Sequence, residues 1–268
     1  MKTPASTAAG VTAPASMAAG VRTLARRLWR AVEAQHVVAT MKLVDSLAEQ
    51  DVLEQLLEAS KPPLPPASQA LHYLVATPFR YRAPVASRFR RAEDPGLWYG
   101  AEEKLTACAE VAHWRWRFLM DSAGLRAQEL VTEHTLFAAE VRGRCIDLTR
   151  PPWAARAAEW MHPSDYAACQ ALAAQARGEG VQWIRYASAR AEGGRNGAVL
   201  DPLALRLAEP VALETWVCKV GPARALLRHG DERLELVFGP GPGPEPDPAT
   251  PPAASGTPAR RARAGRGS

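Results

Sequence analysis

Cysteine is scarce in this chain and scattered. The four thiols, Cys108, Cys145, Cys169 and Cys218, include no C-x-x-C pair and no Cys/His cluster at ligand spacing. That excludes a disulfide framework and a finger-type zinc site, and the cysteines read as small buried hydrophobes of a reduced, cytoplasmic protein. His72, His113, His134 and His162 share no motif, so no metal is expected. No apolar run approaches the roughly 20 residues that cross a bilayer. Residues 1–20, rich in Ala, Thr and Ser, lack the apolar core of a secretory signal, so no membrane contact is expected. Excess charge is also scarce. Of the net +5, the tail from Gly239 carries +2 and Lys2 one more, leaving +2 for residues 21–238. This is too little for a nucleic-acid surface in the body of the chain. A strand–GxGxxG–helix phosphate loop is missing too. The Gly193-Gly194-Arg195-Asn196-Gly197 run leads into a strand and reads as a hairpin turn.

What is there suffices for one large domain: 268 residues, 47% hydrophobic and 23% charged. Residues 1–20 and 239–268 read as disordered ends. The tail sets eight prolines between Pro240 and Pro258 beside almost no large apolar residue, so burial cannot offset its ordering entropy. Residues 21–61 read as a helical pair. Leu24, Leu28, Val32 and His36 fall four apart, and Leu43, Leu47, Leu53, Leu56 and Leu57 follow before Lys61-Pro62-Pro63 ends the pattern. Such a hairpin either covers one side of the core or offers a surface to a second copy of the chain or to a partner.

Residues 67–238 form the main domain. Strands are predicted at Leu71–Ala76, Gly96–Ala101, Glu129–Val141, Cys145–Leu148, Val181–Ala187, Ala198–Leu200, Leu213–Val220 and Leu234–Phe238. Helices are predicted at Glu102–Leu119 and from Ser164-Asp165 to about Arg177. The strands cluster without βαβ alternation. The expected class is therefore α+β, a mixed or antiparallel sheet with flanking helices.

Four signatures stand in order along this domain. They are Thr77-Pro78-Phe79-Arg80-Tyr81, Ser87-Arg88-Phe89, Trp98-Tyr99-Gly100 leading into Thr106-Ala107-Cys108-Ala109-Glu110, and Tyr186-Ala187-Ser188-Ala189-Arg190. Together, over roughly Leu71 to Phe238, they resemble the RES-domain family, named for its Arg, Glu and Ser residues. The resemblance implies a fold similar to that of ADP-ribosyltransferases and a toxin of a bacterial toxin–antitoxin pair that destroys NAD. It also implies a cognate Xre-type helix-turn-helix antitoxin that blocks the cleft, with DNA bound only through that partner. NAD would be the substrate, water or inorganic phosphate the acceptor, and no cofactor would be needed. The chain departs from compact members in its long leader and in the 78 residues between Glu110 and Ser188.

The chemistry asks for matching groups. Pyrophosphate calls for arginine forks, a developing ribosyl cation for a carboxylate, and the bases and ribose for aromatic faces and hydroxyls. By the resemblance, Arg80, Glu110 and Ser188 are the catalytic candidates, and Arg88, Tyr99, Tyr81 and Arg190 the substrate-binding ones. Two other classes are open on the residues alone. One is transfer of ADP-ribose to a macromolecule; the other is a non-enzymatic binding module acting through the basic tail.

Overall fold

In the computed structural model, which describes residues 17–34, 38–41, 43–82, 84–208 and 211–239, the stretch Val21–Glu33 is a strand, β1. This corrects the expected first helix. A spacing of four satisfies a helix of 3.6 residues per turn, but it is also a multiple of the strand period of two. Leu24, Leu28 and Val32 therefore share one face either way, and the partner decides. That partner is the long strand β3, formed by Leu130–Asp147, which β1 pairs from Val21↔Ile146 to Glu33↔His134. Leu28 is fully buried between Phe137, Trp98 and Trp183. The N-terminal segment is thus part of the sheet rather than an appended helical pair. The two ends expected to be disordered lie, apart from 17–20 and Gly239, outside the described residues.

Helices α1 (Val38–Met41) and α2 (Leu47–Ser60) follow, the second matching the expected helix and capped by Ser46, whose side chain accepts from the Glu49 N–H. Residues Tyr73–Arg80 then form a helix, α3, where a strand was expected. The apolar run there is too short for periodicity to separate the two, and His72 supplies a cap by accepting the N–H of Leu74. After α3 come β2 (Trp98–Ala101) and α4 (Lys104–Asp121). Strand β3 joins into one element what reads as two strands in the sequence. Then follow α5 (Ala157–Trp160), α6 (Ala167–Gly178), β4 (Trp183–Ala187) and β5 (Arg195–Val199). Strands β6 (Leu205–Leu207), β7 (Glu214–Val220), β8 (Arg224–His229) and β9 (Glu232–Val237) complete the chain.

The class is α+β with a mostly antiparallel sheet, β3–β4 being its parallel pair. The sheet runs β1-β2-β5-β4-β3-β7-β8-β9, and β1 also pairs β3, so five strands close on themselves. Closure is possible because one edge of β3 takes β1 while the other is shared by β7, β6 and β4. Helix α4 lies across β1, β2 and β7–β9, burying Cys108, Ala112, Trp116 and Leu119 against Leu136 and Trp216. Helix α6 packs Cys169, Leu172 and Ala176 on Ile146 and Ile184. Gly193, with φ of 72°, turns the β4–β5 hairpin as expected from its sequence. Gly100 meets the protein itself: a Cβ there would stand 2.5 Å from the Trp98 ring.

Candidate active site

A cleft of about 300 Å³ opens between α4, β1, β2 and the ends of β4 and β5. Its anchor is Glu110, on the second turn of α4. Ser188, just past β4, donates from Oγ to Glu110 Oε1 at 2.8 Å, and Asn196 Nδ2 on β5 donates to the same oxygen at 2.7 Å. The Ser188 hydroxyl is itself held, accepting the N–H groups of Arg190 and Ala191 at 3.0 and 3.1 Å. Two neutral donors therefore fix one oxygen of the carboxylate and leave Oε2 without a partner among the described residues.

Tyr99 on β2 braces the opposite wall. Its hydroxyl accepts the Phe89 N–H at 3.0 Å and is hydrogen-bonded to Ser87 Oγ at 2.9 Å. Burial pushes its phenol up, against the pull of those bonds. The loop so fixed carries Arg88, whose Nη1 donates to the carbonyls of Trp160 and His162 and whose guanidinium lies 4.7 Å from the Tyr166 ring centre. Arg190 Nη2 donates to the Pro163 carbonyl. Among the described residues neither arginine has an acidic partner, so both keep unspent donors at the cleft.

Not all candidates converge. Glu110, Arg88, Tyr99 and Arg190 line the cleft, and Ser188 is one hydrogen bond behind it. Arg80 and Tyr81 do not line it. Arg80 ends α3, where it pairs with Glu58 of α2 at 2.7 Å and donates to the Pro62 carbonyl. Tyr81 is exposed. The helix that replaces the expected strand carries both away from the cleft.

Other residues join that were not among the candidates, Tyr186 having stood only inside the last signature. Arg30 of β1 lines the cleft, donates from Nη1 to the Tyr99 carbonyl at 2.9 Å and stacks over Trp98 at 5.5 Å. Its Nε is enclosed without a partner among the described residues, and burial lowers its pKa to about 10. Trp29, Tyr166, Tyr186 and Asn196 also contribute. Asn196 lay hidden in a glycine-rich turn, and Arg30 in a segment read as helix. No His, Cys, Asp and Glu group able to hold a metal is found among the described residues, nor a helix long and apolar enough to cross a membrane.

The family model of the RES domain matches residues 64–220, which leaves β1 with Trp29 and Arg30 outside the matched span. No curated protein matches the chain. The chain is similar to a chain in the crystal structure of the M. tuberculosis MbcT–MbcA toxin–antitoxin complex, at 15% identity and a TM-score of 0.42, over 76% of this chain and 88% of that one. With that family match over more than half its length, the chain belongs to the RES-domain family.

Proposed function

We propose that this chain is the toxin of a toxin–antitoxin pair and that it consumes NAD by breaking the nicotinamide–ribose bond. The observation that carries this reading is the clamp on Glu110: a carboxylate held by Ser188 and Asn196 at a cleft where Arg88 and Arg190 lack acidic partners among the described residues. One negative charge among three cations suits a ligand with an anionic middle and a cation-forming end. Arg88 and Arg190 hold the pyrophosphate, with Arg30 as a third cation on the far wall. Glu110 stands at the ribosyl carbon, where its charge stabilises the cation that develops.

The step balances simply. The bond between the ribosyl carbon and the pyridinium nitrogen breaks, its electron pair passes to that nitrogen, and nicotinamide leaves neutral. An acceptor oxygen bonds the same carbon. Water gives ADP-ribose and a proton; inorganic phosphate gives phosphorylated ADP-ribose. The cognate antitoxin, in this reading, silences the chain by covering the cleft. Mass spectrometry of NAD incubated with purified chain, with and without phosphate, tests the proposal. A phosphorylated product that needs phosphate identifies a phosphorylase, and ADP-ribose in both samples a hydrolase. Label accumulating on a macromolecule instead means transfer.

A further inference from the structure

We propose that Tyr186 is a further catalytic residue, whose hydroxyl hydrogen-bonds a hydroxyl of the ribose that is cleaved from nicotinamide. The inference rests on the reading of Glu110 given above.

Tyr186 is 6% exposed and lines the cleft. It lies on β4 two residues before Ser188 and directly opposite Asn196 of β5. Residues two apart on a strand, and residues paired across neighbouring strands, share a face. Tyr186 therefore shares a face with Asn196, and Ser188 lies two residues on; these are the two groups that clamp Glu110. An edge-on contact with Phe89, at 4.8 Å between ring centres, holds its ring in place.

The other hydroxyls of the site are committed within the protein. Tyr99 Oη is bound to Ser87 and Phe89, Ser188 Oγ to Glu110 and two backbone amides, and Tyr166 Oη to the Pro163 carbonyl. The Tyr186 hydroxyl alone among these bonds to no described residue. The residue is buried apart from what it shows to the cleft, and its hydroxyl is not among the enclosed polar atoms, so its free hydrogen-bonding capacity is available to a ligand there.

The chemistry of the site narrows the choice. Glu110 must stand beside the anomeric carbon, and the polar groups within a bond or two of that carbon are ribose oxygens. A phenol donates and accepts, which suits a sugar hydroxyl. Such a bond strengthens as the sugar becomes cationic, and it therefore lowers the barrier rather than merely tightening binding. Burial pushes the phenol well above its ordinary value, so it serves as a neutral hydrogen-bonding group at neutral pH.

Tyr186→Phe removes one oxygen and keeps the ring and its contact with Phe89. The test compares kcat/KM of the wild-type chain and this variant on NAD and on two analogues that lack the 2′- or the 3′-hydroxyl of the nicotinamide ribose, with thermal melts to verify the fold. The variant is expected to melt like the wild type and to lose about tenfold or more in kcat/KM on NAD. That loss should disappear on one of the two analogues, because the deleted partners belong to one interaction. An indifferent variant, or an equal loss on NAD and both analogues, overturns the inference alone. A folded wild-type chain that leaves NAD intact overturns the reading of Glu110 and this inference with it.

Discussion

Ser188 Oγ donates to Glu110 Oε1 across 2.8 Å while accepting the backbone N–H groups of Arg190 and Ala191. With its proton and both lone pairs committed, Ser188 is proposed to position Glu110 rather than to touch substrate. It has no bond left with which to orient nicotinamide directly.

Ser188→Ala should therefore lower kcat and leave KM for NAD within about threefold. Loss of one bond to a charged group corresponds to about a tenfold drop or somewhat more. Steady-state kinetics settle it. A variant that raises KM with kcat intact would show that the hydroxyl contacts substrate after all.

The arginines should separate by location. Arg88→Gln and Arg30→Gln remove cations that line the cleft, and each is expected to raise KM for NAD by about tenfold to a hundredfold. Arg80→Gln breaks a pair with Glu58 that flanks α2 and should change KM less than twofold. A strong KM effect from Arg80 with none from Arg88 would reverse this assignment.

That contrast shows what was legible in the chain. Glu110 lies on the expected helix and Ser188 just past the expected strand, because each adjoins a regular element legible in the sequence, while their proposed roles came from the resemblance. Arg80 could not, because Leu71–Ala76 is too short a run to tell strand from helix, and the answer moved its side chain to another face. Arg30 was hidden by a spacing of four that fits both periods, until thirteen residue pairs with β3 made β1 a strand. Asn196 gave no signal: the hairpin that carries it was legible, but its bond to Glu110 joins residues 86 apart in the chain, which no local pattern encodes. The α+β class survived these errors because it rests on the clustering of strands, not on any one of them.

The pairing of β1 with β3 carries its own prediction. A fragment of residues 64–220, the span of the family match, lacks β1 and with it Leu28, fully buried in the core. It also lacks β8 and β9, which cover α4. It should fail to give a cooperative thermal transition, whereas residues 17–239 should melt like the full chain. A cooperative melt from the shorter fragment would mean that β1 is dispensable.

Acid should destabilise the fold earlier than carboxylates alone require. Burial, with Arg190, Arg117 and Arg88 nearby, lowers His113 to about 4, and burial with Arg115 does the same for His134. Unfolded, each titrates near 6.5. Between about 6.5 and 4 the unfolded chain takes up protons that the native state refuses, so stability falls as pH drops through that window and is unaffected above it. Melting temperatures from pH 7.5 to 4.5 should decline, and His113→Gln should flatten the slope. An unchanged slope in that variant would show that the half-buried His113 does not carry the effect.

The most direct test of the central claim is the release of nicotinamide from NAD by the antitoxin-free chain and by Glu110→Gln. A glutamine can keep both hydrogen bonds from Ser188 and Asn196, so the fold should hold while the charge is lost. The expected result is nicotinamide equal to the NAD consumed by the wild type, and a fall of about a thousandfold or more in the variant at an unchanged melting temperature. NAD left intact by the folded wild type, or wild-type rates from Glu110→Gln, would contradict the account.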